Sequence, residues 1–193
     1  MTDTATKHAL AELVPVGARV LDLGCGDGTM LAHLQQTRGC TGYGIEIDDA
    51  NVLACVQRGV NVIQLNLDEG LAMFDDASFD VVLQLDTLQH LRNAEVMLRE
   101  TVRVGRVGII AFPNFAHWPN RLSVLRGRMP VTKRLPYQWY DTPNIRVGTH
   151  ADLQALALGS GLKVLDSFGL QNGRTVRFAP NLLAGTSVYT LSR

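Results

Sequence analysis

No stretch of this chain approaches the ~18 consecutive apolar residues of a membrane-spanning helix, so no such segment is expected. Charge of neither sign dominates, since 18 basic residues balance 18 acidic ones. A neutral whole has no general attraction toward nucleic acid or an anionic membrane, and neither is expected as a partner. Cysteine is scarce: Cys25, Cys40 and Cys55 are odd in number and show no C-x-x-C spacing. That excludes a disulfide framework and a zinc knuckle, and it suits a cytoplasmic protein. Met1 to Leu10 lacks the basic head and apolar run of a secretory signal. His8, His33, His117 and His150 are scattered without H-x-x-x-H spacing, so no metal site is expected.

What remains is ample for a core. The chain has 193 residues, 46% of them hydrophobic. That fits one domain spanning residues 1–193 and needing no covalent staples. No internal repeat or low-complexity tract is visible. Strand and helix patterns alternate from residue 19 to 112. Strands are expected at Arg19–Leu23, Thr41–Ile47, Val60–Leu65, Asp80–Leu85 and Gly108–Phe112. Helices are expected at Thr29–Gln36, from Asp48 or Asp49 through Val56, and at Asn93–Val104, after a short one at Ala5–Val14. The run at Asp80–Leu85 is almost continuously apolar, as a strand covered on both faces should be. Such alternation predicts a parallel sheet with helices on both faces. A helix at His150–Leu158 and strands near Lys163–Phe168 and Ser187–Leu191 follow. No helical pattern joins those two strands, so they are expected to pair as an antiparallel hairpin at one edge.

The most informative segment is Val20-Leu21-Asp22-Leu23-Gly24-Cys25-Gly26-Asp27-Gly28. A strand ends, alternate glycines follow, and a helix begins. Glycine serves where the backbone must turn sharply and approach a ligand without a Cβ in the way. Dinucleotide sites use G-x-G-x-x-G, with a pyrophosphate on the helix N-terminus. Here the third position of that pattern is Thr29, and the spacing is G-x-G-x-G. Asp22 precedes the first glycine by two residues. Its carboxylate would repel a pyrophosphate and attract the ammonium of an amino-acid moiety. The loop therefore predicts an S-adenosylmethionine or S-adenosylhomocysteine site, not a nicotinamide one.

Three more strand ends carry polar groups. Glu46, followed by Ile47, ends the second strand and is placed to accept hydrogen bonds from ribose hydroxyls. Asn66, Leu67 and Asp68 follow the third strand. Either Asn66 or Asp68 could accept from an adenine amino group while a backbone N–H meets a ring nitrogen. Gln84 lies at the end of the fourth strand. Carboxyl ends of strands are where open α/β sheets bind ligands. Beyond Gln84, Asp86 and His90 form a weak candidate for a catalytic base pair facing the pocket. The competing reading makes them a cap and decoration at the start of the next helix, and it is favoured because such pairs recur by chance. Cys25 reads as a small loop residue shielded by cofactor rather than as a reactive thiol.

Residues 19–112 resemble the class I S-adenosylmethionine-dependent methyltransferases, through V-L-D-L-G-C-G-D-G and the segment S-F-D-V-V at 78–82. The resemblance implies a Rossmann-like, seven-stranded, mostly parallel sheet of order 3-2-1-4-5-7-6 with one antiparallel strand at its edge. It also implies Asp22, Gly24 and Gly26 around the methionine part, Glu46 on the ribose, and Asn66 to Asp68 at the adenine. Further segments are more specific: L-N-L-D-E-G-L at 65–71, F-P-N-F-A-H-W at 112–118, G-R-M-P at 127–130 and L-P-Y-Q-W-Y-D-T-P-N-I at 135–145. Together they resemble the MetW family of methionine biosynthesis proteins, which tend to carry aspartate where this chain has Asn66. That resemblance implies a partner or activator of homoserine O-acyltransferase. An active small-molecule methyltransferase is the alternative, although no N-P-P-Y-type motif follows the fourth strand.

The segment from Pro113 to Gly148 is expected to be an irregular insertion, since it holds five of the seven prolines. Six aromatic residues, Phe112, Phe115, Trp118, Tyr137, Trp139 and Tyr140, lie in or beside it. Arg121, Arg126, Arg128, Lys133 and Arg134 add positive charge with no acidic residue between His117 and Leu135. Trp, Tyr and Arg dominate protein–protein hot spots. Three readings compete: a docking surface, a lid over the cofactor, or a plain cap on the sheet with its aromatics in the core and its arginines in water. The concentration of aromatics and like charge puts docking first and the lid second, with nucleic-acid binding third.

Overall fold

The computed structural model describes residues 4–132 and 134–193. Lys133 of the basic run and Met1 to Asp3 lie outside the described residues. A short helix, α1 (Thr4–Ala11), precedes the first alternating units. These are β1 (Arg19–Leu23), α2 (Thr29–Arg38), β2 (Thr41–Glu46), α3 (Asp49–Gln57) and β3 (Val62–Gln64). The second half holds β4 (Phe79–Leu85), α4 (Ala94–Val104), β5 (Gly105–Pro113), α5 (Trp118–Leu125) and α6 (His150–Gly159). It ends with β6 (Lys163–Gln171), β7 (Arg174–Val176), α7 (Pro180–Leu183) and β8 (Thr186–Ser192).

Local chemistry explains the boundaries. Gly39 closes α2 in the left-handed conformation and returns its N–H to the Leu34 carbonyl. Asp48 caps α3 by accepting from the Asn51 amide, which settles the choice between Asp48 and Asp49. Thr149 and Asp152 form a reciprocal capping box at the start of α6.

Among the described residues, eight strands form one sheet, ordered β3-β2-β1-β4-β5-β8-β6-β7. The pairs from β3 through β5 are parallel, whereas β8 runs antiparallel to both β5 and β6. The α/β class, the order and the mostly parallel character are those expected. The strand count is eight rather than seven, because β7 folds back on β6 as an antiparallel edge hairpin. The antiparallel β8 lies inside the sheet, between β5 and β6, and the outer edge belongs to β7. Strand β7 is only Arg-Thr-Val and largely exposed, so it carried no apolar pattern to announce it.

Two apolar layers sandwich the sheet. On one face Leu10 of α1, Leu31 and Leu34 of α2 and Cys55 of α3 pack against Val20, Val81 and Leu83. On the other, Met97, Leu98 and Val102 of α4 and Leu153 of α6 pack against Leu21, Leu23 and Ile110. Among the described residues no helix is long and apolar enough to cross a membrane.

The 113–148 segment is not wholly irregular. It contains α5, whose N-cap is His117 and whose first turn holds Pro119. A proline there sacrifices no intrahelical hydrogen bond, so the residue that reads as a breaker starts a helix instead.

Candidate functional site

The carboxyl ends of β1, β2 and β4 open onto a cleft with two compartments. One is about 420 Å³ and holds Lys7, Asp22, Gly24, Gly26, Asn51 and Asp86 in its wall. The other is about 620 Å³ and is walled by Glu46, Ile47, Asn66, Asp68, His90 and Ile145, among others. Gly24 and Asp86 belong to both, so the compartments meet at those residues.

The glycine loop is fixed from below. The amides of Gly24 and Cys25 both donate to the Ile45 carbonyl, at 2.8 and 3.0 Å. Gly24 has φ +71°, and a Cβ there would lie 2.7 Å from the Thr87 hydroxyl oxygen. Gly26 has φ +56°, and a Cβ would meet nothing within 4 Å. Gly24 is thus required by the protein's own packing, while Gly26 faces open space in the cleft. Gly28, expected to line the ligand site, instead faces α3, where a Cβ would lie 2.9 Å from Cys55 Sγ.

Asp22 ends up only 2% exposed. Among the described residues no hydrogen-bond donor reaches its carboxylate. Burial, reinforced by the nearby Glu46 charge and opposed by Lys7, pushes its pKa up to about 7. Lys7 is a site residue the sequence did not reveal, because α1 reaches this cleft only through the tertiary fold.

Glu46 is buried and heavily bonded. Its Oε2 accepts from the Gly26 amide at 2.8 Å, and its Oε1 from Ile47 and Asp48 at 2.8 and 3.0 Å. It therefore clamps the glycine loop to the end of β2, in addition to walling the larger compartment. Asn66 caps the short turn at 67–69 by accepting from the Asp68 amide at 3.1 Å. Asp68 accepts from the Arg92 amide at 2.9 Å. Leu67 between them and Ile47 after β2 line the same compartment.

Gln84 is not part of the cleft. It is fully buried on the other face of β4, where its Nε2 donates to Thr101 Oγ1 of α4 at 2.8 Å. Leu85, one residue on, reaches the cleft in its place. Side chains alternate along a strand, so adjacent residues point to opposite faces.

Cys25 borders the smaller compartment yet is largely buried. Cys25 Sγ lies 3.8 Å from Cys55 Sγ. Burial pushes the Cys25 thiol well up, so it is a packing group rather than a thiolate nucleophile.

Asp86 and His90 do line the cleft, yet both are engaged by the 113–148 segment. Arg134 donates to both Asp86 oxygens, at 2.6 and 3.1 Å. The His90 ring places Nδ1 3.1 Å from the Pro143 carbonyl and has Gln89 as its other neighbour. A carbonyl only accepts, so Nδ1 carries the proton in that contact. Neither residue caps the following helix, whose N-cap is Asn93. Arg134, Pro143 and Ile145 thus bring the segment into contact with the cleft wall. The rest of it presents Trp118, Trp139 and Tyr140 to solvent, with Trp139 73% and Tyr140 71% exposed. Among the described residues no group of three or more His, Cys, Asp or Glu is placed to hold a metal ion.

A family model for the methionine biosynthesis protein MetW matches residues 4–191. The chain is 36% identical to the bifunctional methionine biosynthesis protein MetXA/MetW of Rhodopirellula baltica, covering 100% of this chain and 33% of that protein. The chain thus spans about one third of the length of this relative. It is 29% identical to the ubiquinone biosynthesis O-methyltransferase of Pseudomonas fluorescens, over 91% of this chain and 78% of that one. Its fold superposes on an S-adenosylmethionine-dependent methyltransferase structure from Mesorhizobium loti with a TM-score of 0.71 at 15% identity, covering 98% of each chain. The architecture is that of the class I methyltransferases.

Proposed function

The chain belongs to the MetW family of methionine biosynthesis proteins, and on that premise we propose that it binds S-adenosylmethionine or S-adenosylhomocysteine as a partner and activator of homoserine O-acyltransferase. The observation that carries the ligand is Asp22, a buried carboxylate without a hydrogen-bond donor at the foot of an open glycine loop. An ammonium group supplies the missing donors and charge. Lys7 in the same compartment suits the carboxylate of an amino acid. The larger compartment, with Glu46 and with Asn66 and Asp68, suits a ribose and an adenine. A pyrophosphate would meet Asp22 and Glu46 together, and like charge disfavours it. Binding of the adenosyl ligand places no demand on a methyl acceptor.

The partner is inferred from the MetXA/MetW relative, whose name joins two units in one chain, and from what the MetW family implies. Exposed Trp139 and Tyr140 with Arg121, Arg126 and Arg128 give the docking face. The same segment touches the cleft through Arg134, so a ligand there that prefers one arrangement of the segment changes partner affinity by that preference. The protein would act in the cytoplasm. Co-purification with the acyltransferase from the source cell, with and without S-adenosylmethionine, tests the reading. A complex that raises acyltransferase rate is expected; no complex and no rate change would overturn it.

The second reading is a small-molecule methyltransferase, favoured by the likeness to the ubiquinone biosynthesis O-methyltransferase. The engagement of Asp86 by Arg134 counts against it, because the ion pair occupies the candidate base Asp86. Labelled cofactor incubated with cell extract distinguishes the two: a labelled small molecule supports this second reading.

A further inference from the structure

Helix α5 carries its two faces in inverted order. Its buried residue is Asn120, whose Nδ2 donates to the Asn114 carbonyl at 3.2 Å. Pro119 and Ser123 fall on the same side and are half-buried. Trp118, Leu122 and Leu125 recur at i, i+4 and i+7 on the opposite side, where they are 52%, 38% and 83% exposed. A surface helix normally turns its apolar stripe toward the core and its polar side toward water. Here the side holding Asn120 faces the protein and the apolar stripe faces out. Among the described residues nothing covers that stripe.

The charge around the stripe says what fits it. Arg121 lies within the helix and Arg126 and Arg128 just after it, all three exposed. Among the described residues none of the three has an acidic partner. Pairing two copies of the chain through this helix would set like charge against like charge, because a two-fold interface joins a patch to itself. An anionic membrane would meet the charge, but a helix of 8 residues offers it little apolar area to insert. An apolar groove with carboxylates on its rim satisfies both the stripe and the arginines, and a helix laid in a groove is a common mode of protein recognition.

We propose that α5 is the element that inserts into the partner enzyme, and that its seat there is an apolar groove rimmed by carboxylates. This rests on the reading of the chain as a partner of homoserine O-acyltransferase, and it adds which element docks and what kind of surface receives it. The bond from Asn120 to Asn114 holds the helix in place before the partner arrives, so little order is lost on docking.

Calorimetric titration of the full chain into the homoserine O-acyltransferase of the same cell tests this. Leu122→Asp and Leu125→Asp should each weaken the complex by about tenfold or more. Both side chains are exposed, so the melting temperature should stay where it is. Val56→Asp is the control: Val56 is 61% exposed on α3, which packs beside β3 at the far edge of the sheet, and the complex should be unaffected. Rising salt should weaken the complex, and Arg126→Glu with Arg128→Glu should weaken it further and flatten that dependence. A complex that both leucine variants form at unchanged affinity, or one indifferent to salt, overturns this docking mode and leaves the partner reading standing. No complex with the unmodified protein overturns both. Self-association, or binding to vesicles of anionic phospholipid, that Leu125→Asp abolishes would overturn the proposal by giving the stripe to a second copy or to a membrane.

Discussion

Glu46 Oε2 accepts the Gly26 amide at 2.8 Å, joining the end of the second strand to the apex of the glycine loop. One carboxylate thereby shapes the loop and walls the compartment proposed for the nucleoside. Truncating it removes both roles. Glu46→Ala should weaken S-adenosylhomocysteine binding by about 1–3 kcal/mol, the scale of hydrogen bonds to a charged group. A fall in melting temperature should accompany it, because the amides of Gly26, Ile47 and Asp48 lose their acceptor. Titration calorimetry and thermal unfolding read the two effects separately, and unchanged affinity would remove Glu46 from the site.

Gly26→Val places a branched side chain in the open space of the smaller compartment. Nothing in the protein lies within 4 Å of that Cβ, so the packing tolerates it, although φ +56° costs roughly 1–2 kcal/mol for a non-glycine residue. The expected result is a folded, modestly destabilised protein that no longer binds the ligand. Wild-type affinity would mean that the loop's open side is not the binding side.

Asp22 makes both stability and affinity depend on pH. Its carboxyl is raised to about 7 when folded, against an ordinary value of 3.8. Between those values the folded state holds a proton that the unfolded chain has released. Stability therefore falls as pH rises through this window and levels off above about 7. An ammonium ligand needs the ionised carboxylate, so affinity should rise over the same interval. Urea unfolding and calorimetry at a series of pH values give both slopes. Asp22→Asn should flatten them, and slopes that persist in this variant would assign the titration to another group.

Gln84 and Thr101 bond to each other in the interior, away from the cleft. Thr101→Val should cost about 1–3 kcal/mol by leaving a buried amide without its partner. Ligand affinity should not change. A loss of affinity at unchanged stability would return Gln84 to the ligand site.

The sequence alone determined the alternation of strands and helices through residue 112, the G-x-G-x-G turn, and the placing of Asp22, Glu46 and Asn66 to Asp68 at strand ends. Each of these is local: an apolar run, a cap or a glycine within a few residues specifies it. The tertiary structure decided the rest. Strand β4 is apolar toward both faces, so its pattern could not say which way Gln84 points. The short exposed β7 had no apolar signature. Lys7 reaches the neighbourhood of Asp22, and Arg134 reaches Asp86 across 48 residues, only because the sheet order brings their elements together. Contacts of that kind are set by which strands are neighbours, and no short window of sequence carries that information.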